Sequence, residues 1–395
     1  MATQATELVR AAASEAASTG IVLCHFTVTQ KRLKSRSFHL ECAPLAANGV
    51  GVRFIAPADI QGKRSGVAVV PLPWRGSRTS RIAAAPRLLL QLLRQHADIY
   101  HFQDPELLPL AFLLKAAFRK RVVYDAYEDF PSMAQNKIRA PRWVRPIAAK
   151  VVRAAERLAA HCFDGVITAD PFTLRRLARA GRSRKLVFYN FPNLDFFPAP
   201  RNPSKTFDLV YRGGLSERAG TLLLLDALRR LSAEGRCVRL LLIGYADNGL
   251  EEKTLRDRIR GLGLETSIEI RPRIDHEETA AALSAARIGV CPLQAIPKFL
   301  LNIPVKVFEY WACGLPVISS DLPPIRPFFR NAKAGLLFPP GDVAALARCI
   351  RWMLDHPEAA AHMGRRGRAA VVERLNNRSE SHRLRRFCLR VVQAS

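Results

Sequence analysis

Two charged side chains, Lys306 and Glu309, stand three residues apart near the middle of the second half of the chain. That spacing places them on one face of a short helix, which Pro304 can begin because a first turn needs no N–H from that residue. Gly314 stands where a left-handed residue ends a helix, and a buried strand follows at 315–318. A cation and an acid at such a helix start could hold a sugar–phosphate ligand. The alternative is a surface helix with one ion pair.

A second group of candidate residues follows the strand predicted to begin at Phe207. Gly213 and Gly214 let backbone N–H groups approach a phosphate, and the helix expected from about Thr221 favours negative charge at its start. Arg218 adds a fixed cation with several hydrogen-bond donors. Two adjacent glycines are weak evidence alone, because any tight turn between a strand and a helix can use them, and they do not form the dinucleotide fingerprint G-x-G-x-x-G.

Acidic residues follow two predicted strands in the first half of the chain. Asp104 follows one strand, and Asp125 and Glu128 follow the next, with Tyr127 between them. Acids at the carboxyl ends of parallel strands face the ligand crevice of an α/β sheet. The alternative for Asp104 is a purely structural role, as the cap of a helix that Pro105 starts. Tyr127 can donate a hydrogen bond, but at neutral pH it is a poor proton acceptor.

The elements that must position these side chains alternate between strand and helix. Strands are predicted at 21–26 and 50–56 with a helix at 37–47 between them, which is a βαβ unit and implies a parallel sheet. The same alternation resumes at 207 and continues to a helix that ends near 354. We therefore predict an α/β chain of two doubly wound, Rossmann-like domains that face a cleft, with ligands at the carboxyl ends of the strands.

A chain of 395 residues is long enough for two domains. The proline- and asparagine-rich run at 191–204 breaks the periodic pattern and is the best domain boundary. The predicted divisions are a mobile N-terminal extension at 1–20, a first domain at 21–200, a second domain at 206–375 and a C-terminal helix at 376–395.

The net charge of +27 favours anionic partners, although an arginine-rich surface kept for solubility would give the same value. The basic helix predicted at 142–160 could lie on an anionic membrane surface, or it could pack on the sheet with a solvated basic face. No run of 18 uncharged apolar residues is present, so we expect no membrane-spanning segment. Nucleic-acid binding is disfavoured, because the chain lacks interleaved aromatic residues and a known binding module.

The eight cysteines are scattered, with no C-x-x-C pair and no Cys/His cluster at metal-binding spacing. Residues such as Cys24 and Cys237 lie in apolar runs and are expected to be small buried side chains in a reducing compartment. We therefore expect a cytoplasmic chain without a metal site.

The segment 304–319 resembles the signature P-x-K-x-F-E-Y-x-A-x-G-x-P-V-I of family-4 retaining glycosyltransferases (glycosyl transferases group 1), which have the GT-B fold. The likeness extends from about Ile21 to the final helices, and it implies that the C-terminal helix at 376–395 crosses back to the first domain. The segment 36–42 resembles the opening R-I-F-x-K-E of that family, 101–109 resembles H-x-H-D-P-E-L-L-P, and 125–128 resembles D-x-H-E. The resemblance implies retaining transfer of a hexose-type sugar from a UDP- or GDP-linked donor to a glycan or lipid-linked acceptor, without a resident cofactor.

The resemblance also implies roles for individual residues. The residues expected to bind the donor are Gly213, Gly214, Arg218, Gly244, Arg273, Lys306 and Glu309, of which Glu309 would hold the ribose hydroxyls. Those expected on the acceptor side are Asp104, Asp125 and Glu128. Arg218, Lys306 and Tyr127 are the catalytic candidates. No D-x-D metal motif is evident, so fixed cations are expected to stabilise the leaving diphosphate in place of a divalent ion.

The chain departs from the family pattern at four positions: Lys34, Gln103, Tyr127 and Leu301. Gln103 replaces a histidine of the family pattern, and Tyr127 and Leu301 replace residues that relatives use near the transferred sugar. These departures leave two functions open. The first is an active transferase in bacterial surface polysaccharide or lipopolysaccharide synthesis, in the cytoplasm or at the inner face of the membrane. The second is a catalytically weakened, sugar-nucleotide-binding partner of another transferase.

Overall fold

The computed structural model describes residues 20–28, 36–57, 61–72, 85–137, 141–178, 184–199, 205–246 and 248–393. The chain divides into two compact units. Unit 1 comprises residues 1–190 and 377–395, and unit 2 comprises residues 191–376. The predicted extension at 1–20 and the departure at Lys34 lie outside the described residues, except for Gly20.

Unit 1 is built on an eight-stranded sheet with the order β3-β4-β2-β1-β5-β6-β7-β8. The strands are β1 (Val22–Phe26), β2 (Gly51–Ala56), β3 (Gly62–Arg64), β4 (Val67–Pro71), β5 (Ile99–Phe102), β6 (Val122–Ala126), β7 (Gly165–Thr168) and β8 (Arg184–Val187). All neighbouring pairs are parallel except β3 and β4, which form an antiparallel hairpin. The predicted parallel sheet is confirmed, and the hairpin is an addition that the sequence pattern did not indicate.

Helices cover both faces of this sheet. In chain order they are α1 (Ala43–Ala47), α2 (Ala85–Leu93), α3 (Leu108–Ala116), α4 (Phe130–Lys137), α5 (Val144–Cys162) and α6 (Pro171–Ala178). The helix predicted at 37–47 is π-helical over Ser37–Cys42 and α-helical only over Ala43–Ala47. The wider first turns bury Glu41, which becomes part of a polar network described below.

Unit 2 is built on a six-stranded parallel sheet with the order β11-β10-β9-β12-β13-β14. Its strands are β9 (Phe207–Gly214), β10 (Leu240–Tyr245), β11 (Ile268–Arg271), β12 (Ala286–Cys291), β13 (Val317–Ser320) and β14 (Gly335–Phe338). Its helices are α7 (Thr221–Ala233), α8 (Gly249–Gly261), α9 (His276–Ser284), α10 (Val305–Ala312), α11 (Arg326–Ala332), α12 (Val343–Asp355) and α13 (Pro357–Glu373). Both units therefore have the doubly wound α/β architecture that was predicted.

The last helix, α14 (Asn377–Gln393), belongs to unit 1. Its side chains Leu384, Phe387 and Val391 are buried in the same core cluster as residues of β1 and β2. A Cβ atom at Gly165 would lie 2.6 Å from the Phe387 ring, so the helix fits closely over β7.

The structure places the boundary between the units at Asn190, ten residues before the predicted end of the first domain. The reason is aromatic packing: the Phe191 ring lies 4.8 Å from that of Phe308, inside unit 2. Arg368 of α13 also donates a hydrogen bond of 2.9 Å to the carbonyl of Phe197.

One burial prediction was wrong. Cys24 is fully buried as expected, but Cys237 is exposed because it lies before β10 begins. Across the described ranges, none of the helices has the length and apolar character needed to cross a lipid bilayer.

Candidate functional site

Helix α10 begins and ends where the sequence predicts. Pro304 precedes its first residue, and Gly314 beyond its end has a φ of 72°. The N–H of Gly314 donates to the carbonyl of Trp311 at 2.9 Å, and that of Leu315 donates to Tyr310 at 3.0 Å. These two bonds satisfy the last carbonyls of the helix and turn the chain directly into β13. The helix is therefore held firmly at the sheet edge where Lys306 and Glu309 lie.

The ammonium of Lys306 is held by a tyrosine at the end of β9. Its Nζ donates a hydrogen bond of 3.1 Å to the hydroxyl of Tyr211 and lies 4.1 Å from the centre of that ring. The Tyr211 hydroxyl in turn donates to the carbonyl of Gly214 at 2.8 Å. Lys306 thus lies against the glycine end of the strand, with its position set by a fully buried tyrosine.

Two opposing effects act on the pKa of Lys306. Desolvation lowers its pKa, but attraction to Tyr211, Cys291 and Glu309 outweighs this effect, so its pKa is raised above the ordinary value. Lys306 is consequently a permanent cation at neutral pH. A fixed positive charge beside the glycine end of β9 is suited to an anionic ligand.

The carboxylate of Glu309 is buried and pairs with Arg212, the residue next to Tyr211. The Arg212 guanidinium donates to Oε2 of Glu309 at 2.7 Å. The backbone N–H of Arg212 also donates to the hydroxyl of Tyr310 at 2.8 Å, which fastens α10 to the end of β9. The alternative interpretation of this helix expected one ion pair. Glu309 does form an ion pair, but its partner is Arg212 of β9 and not Lys306.

The predicted glycine turn is the end of a strand. Gly213 and Gly214 are the last two residues of β9 and pair with Gly244 and Tyr245 of β10. Gly244 has a φ of 159°, and a Cβ atom there would lie 1.8 Å from the carbonyl oxygen of Gly213. A Cβ atom at Gly213 would lie 2.7 Å from Nζ of Lys306, whereas one at Gly214 would meet nothing within 4 Å. The three glycines therefore bring Lys306 close to the backbone and leave free space at Gly214.

Two predicted donor-binding residues lie beyond the ends of strands. Arg218 is exposed in a short 3₁₀ turn, Glu217–Ala219, and its carbonyl accepts a hydrogen bond of 3.1 Å from the N–H of Gln294. Arg273 is exposed two residues beyond β11, the neighbour of β10. Both lie at the carboxyl edge of the sheet because all strands of unit 2 are parallel.

In unit 1, Asp104 does not act as a helix cap. Its Oδ2 accepts hydrogen bonds of 2.7 Å from the Thr27 hydroxyl and from the N–H of Val28, just beyond β1. Although Asp104 precedes the turn that Pro105 starts, its side chain makes no capping bond there. The capping alternative is therefore wrong, and the carboxylate instead fixes the backbone that follows β1.

Asp125 is fully buried in a network with Arg36 and Glu41. The Arg36 guanidinium donates to Asp125 at 2.8 Å and also contacts Glu41 and Asn190. The Gln103 amide donates to Asp125 at 2.9 Å and approaches both oxygens of Glu41 at 3.3 and 3.4 Å. Burial raises the pKa of Glu41 well above its usual range, while Arg36 counteracts part of that rise. Gln103 thus has a defined role in the network.

Two buried histidines lie beside this network, on neighbouring strands β1 and β5. The Nδ1 atoms of His25 and His101 are 3.1 Å apart, and His101 Nδ1 is 4.0 Å from Glu41. Burial lowers the pKa of His101 to about 4 and that of His25 well below its ordinary value, so both rings are neutral at pH 7. One ring must therefore donate its Nδ1 proton to the other.

His25, Glu41 and His101 could each offer one ligand atom to a metal, since these atoms lie within 4.8 Å of one another. However, the Gln103 amide and the Arg36 guanidinium both present N–H donors to the same carboxylate. Donors directed at Glu41 would repel a cation at that position. The arrangement therefore suits a hydrogen-bonded polar network better than a metal centre.

Tyr127 and Glu128 follow β6 and are both half-buried. The Arg36 guanidinium lies 5.4 Å from the centre of the Tyr127 ring. Burial, reinforced by the charges of Glu128, Asp104 and Asp125, raises the pKa of Tyr127 to about 12. Tyr127 is therefore a protonated hydrogen-bond donor at neutral pH and cannot act as a general base there.

Several residues that hold these sites together were not predicted from the sequence: Tyr211, Arg212, Glu41, His25 and His101. Tyr211 and Arg212 immediately precede the two glycines, and their position at a strand end was the available signal. The histidines interrupt two otherwise apolar strands, and the parallel register pairs His25 directly with His101. A buried imidazole at the same level in neighbouring strands indicates a polar network.

Two family models match the chain. "Glycosyl transferase 4-like domain" matches residues 35–190, and "Glycosyl transferases group 1" matches residues 194–370. These ranges follow the division of the chain into unit 1 and unit 2.

Two curated relatives illustrate the similarity. The amylovoran biosynthesis glycosyltransferase AmsK of Erwinia amylovora is 34% identical over 137 residues, which are 34% of this chain and only 33% of AmsK. The phosphatidyl-myo-inositol mannosyltransferase of Mycobacterium leprae is 27% identical over 321 residues, which cover 78% of this chain and 79% of that protein.

Solved structures share the fold. The sucrose-phosphate synthase of Thermosynechococcus elongatus has a TM-score of 0.74 at 19% identity and covers 95% of this chain and 100% of its own. HepE of Anabaena in complex with UDP has a TM-score of 0.69 at 16% identity, with 92% and 98% covered. The GT-B fold expected from the sequence is therefore confirmed.

Proposed function

We propose that this chain, which belongs to the glycosyl transferases group 1, transfers a sugar from a nucleoside-diphosphate donor to a glycan or lipid-linked acceptor with retention of configuration. Unit 2 would bind the donor, and unit 1 would bind the acceptor.

The observation that carries this proposal is the arrangement of Lys306 and Glu309 beside the end of β9. Lys306 supplies a cation fixed by Tyr211, and space for a ligand is open at Gly214. The buried Glu309 has one oxygen bonded to Arg212, and the second could accept a hydrogen bond from a ribose hydroxyl. A cation beside the open space at Gly214, with a carboxylate one helical turn away, is suited to the diphosphate and ribose of one nucleotide.

The proposed chemistry depends on charge stabilisation. As the bond between the sugar and the diphosphate breaks, negative charge develops on the leaving phosphate, and Lys306 and Arg218 would stabilise it without a divalent ion. The acceptor hydroxyl attacks from the face that the diphosphate leaves, and its proton passes to the departing phosphate oxygen. No protein base is needed in this scheme, which agrees with a Tyr127 that stays protonated.

The donor and acceptor are proposed from relatives. HepE was crystallised with UDP and with UDP-glucose, which makes uridine nucleotides the first donors to test. AmsK acts in amylovoran biosynthesis, and the Mycobacterium leprae relative is named for a phosphatidyl-inositol acceptor. We therefore place the chain in surface polysaccharide or lipopolysaccharide synthesis, in the cytoplasm and peripherally at the inner membrane face, where lipid-linked acceptors are available.

The deciding experiment measures binding of UDP, GDP, ADP and their common sugar conjugates by thermal shift and calorimetry. We expect one nucleotide class to stabilise the protein, and we expect Glu309→Ala to abolish this stabilisation. Transfer to lipid extracts is then measured with the selected donor, and Lys306→Ala and Arg218→Ala should each lose activity. Full transfer by both variants would contradict the charge-stabilisation scheme.

A second candidate function is a sugar-nucleotide-binding partner that does not itself catalyse transfer. It is favoured by Gln103, whose amide is engaged with Asp125. Leu301 at the position of a donor-binding glutamate supports it further. Nucleotide binding without turnover on any acceptor, including in the presence of co-expressed transferases, would establish this second function.

A further inference from the structure

We propose that helix α5 and the residue before it form a membrane-binding face, which places unit 1 on an anionic lipid surface. This deepens the proposed function by naming the surface that meets a lipid-linked acceptor. It does not depend on catalysis, since binding to lipid can be measured without any donor.

The first observation is an apolar stripe that the fold leaves uncovered. Trp143, Ile147, Val151 and Leu158 are exposed by 72%, 54%, 62% and 52%. They are four of the six most exposed large hydrophobic side chains among the described residues. At 3.6 residues per turn they fall within an arc of about 80° on one side of the helix. Such a concentration on one helix is unusual for a surface that faces only water.

The second observation is a basic flank along the same stripe. Lys150, Arg153 and Arg157 are exposed and fall on an adjoining arc of about 60°. The only acidic residue in Val144–Cys162 is Glu156, which is fully buried and pairs with Arg176 at 2.6 Å. The exposed surface of this helix therefore carries cationic and apolar groups without a compensating acid.

The opposite face of α5 packs against the rest of unit 1. Ala149, Ala159 and Ala160 are buried, the last two in a core cluster with strand residues, and the Tyr124 hydroxyl donates to Glu156 at 3.1 Å. The helix is thus anchored by small residues and by the partly buried Val152, while Ile147, Val151 and Leu158 point outward. This inverts the usual distribution for a surface helix, in which the large apolar side chains face the core.

The apolar stripe and the basic flank of α5 together indicate that this face binds an anionic membrane. A helix lying in the plane of a bilayer inserts its apolar residues at the boundary between headgroups and acyl chains, and its lysines and arginines contact anionic headgroups. Trp143 at the start of the helix is a residue type favoured at that boundary. A protein partner or second copy would need a matching acidic rim, whereas an anionic membrane presents negative charge everywhere.

The test is flotation of the full-length protein with vesicles of phosphatidylcholine alone or with about 30% phosphatidylglycerol. We expect binding to the anionic vesicles that weakens as salt is raised. The double variant Ile147→Asp/Val151→Asp should lose at least about tenfold in partitioning. The triple variant Lys150→Gln/Arg153→Gln/Arg157→Gln should also lose strongly, because each basic group contributes about a fivefold factor.

Matched controls use unit 2. Leu250→Asp changes a side chain that is 75% exposed on α8, and Lys253→Gln/Arg256→Gln/Arg260→Gln removes the same formal charge from that helix. Both should float like the unchanged protein. Nucleotide-induced stabilisation, measured on every variant, reports the donor site separately, so a failed donor site and a failed membrane face are distinguishable.

The proposal is overturned if the unchanged protein does not float with anionic vesicles, or if the Ile147/Val151 variant floats equally well. It is also overturned if light scattering shows a dimer that this variant dissociates, since a second copy would then cover the stripe.

Discussion

The Nζ atom of Lys306 and the hydroxyl of Tyr211 are joined by a hydrogen bond of 3.1 Å across 95 residues of sequence. The cation belongs to a helix and the phenol to a strand, so the contact forms only when unit 2 is folded. Tyr211 therefore acts as a positioning residue for the charge that the proposed donor would meet.

Tyr211→Phe tests that role. The variant keeps the ring beneath Lys306 and removes the hydroxyl, which loses the hydrogen bonds from Lys306 and to the carbonyl of Gly214, each worth about 1 kcal/mol. We expect nucleotide affinity, measured by calorimetry, to fall about fivefold, together with a loss of about 1–2 kcal/mol in the free energy of unfolding. Tyr245→Phe, at an exposed tyrosine that ends β10, is the control and should bind normally. Equal affinity in the two variants would contradict the positioning role.

Arg212→Ala tests the buried ion pair with Glu309. Removing the guanidinium leaves a carboxylate in unit 2 with no charge partner at 2.7 Å, which should cost about 2–3 kcal/mol of unfolding free energy. The control is Arg236→Ala, because Arg236 and Asp355 form a pair of similar length, 2.6 Å, in which both side chains are 39% exposed. Such an exposed pair is worth at most about 1 kcal/mol.

Chemical denaturation measures both variants, and nucleotide affinity should fall only in the Arg212 variant. If the two substitutions were equally mild, Glu309 would not depend on Arg212 for its orientation.

Gly214→Ala separates folding from ligand binding. An added Cβ atom would meet no protein atom within 4 Å, so the variant should fold and melt like the parent. A diphosphate lying against this backbone would nevertheless meet the new methyl group, and we expect nucleotide affinity to fall at least about tenfold. Gly261→Ala on α8, where a Cβ is equally unobstructed, should leave affinity unchanged. Normal nucleotide binding by Gly214→Ala would place the ligand elsewhere.

Acid should weaken unit 1 through its buried histidines. Both imidazoles have a lowered pKa, about 4 for His101, so between pH 6.5 and 4 the unfolded chain binds protons that the folded chain does not. Stability is therefore lost as the pH falls through this window. Each histidine contributes a loss of about 1.4 kcal/mol between pH 7.5 and 5.5. Glu41, whose pKa is raised, acts with the opposite sign.

The comparison that isolates this effect uses His25→Phe, which retains the stacking on Phe54 seen at 5.2 Å. Its unfolding free energy should fall by about 1.4 kcal/mol less than that of the parent over the same pH change. His356→Gln, at an exposed histidine, should follow the parent. An identical pH dependence in the His25 variant would mean that the imidazole titrates normally in the folded protein.

The extent to which the sequence predicted the structure depends on how far apart the interacting residues are. Helix α10 was predicted with both ends because Pro304 and Gly314 act locally, on the turns they belong to. The two sheets followed from alternating strands and helices. The partner of Glu309 could not be predicted, because Arg212 lies 97 residues away and becomes its neighbour only through the order of β9 and α10.

The acceptor-side residues show the same limit. That acids lie at the ends of β5 and β6 was visible from the sequence, but their contacts were not. Asp104 bonds to backbone beyond β1, and Asp125 bonds to Arg36, 89 residues earlier. Local patterns indicated where polar groups would gather, and the strand order determined which of them would be joined.

Because α14 belongs to unit 1, it also affects the order in which the two units can fold during translation. Leu384, Phe387 and Val391 complete a core whose members outside α14 lie between Ile21 and Phe188. At about 5–20 residues per second, the ribosome needs roughly 10–40 s to make residues 191–376 before this helix emerges. Unit 2 can therefore finish folding first, while the nascent first unit waits with an apolar face open to chaperones. A premature stop codon anywhere in unit 2 would consequently damage both halves of the protein.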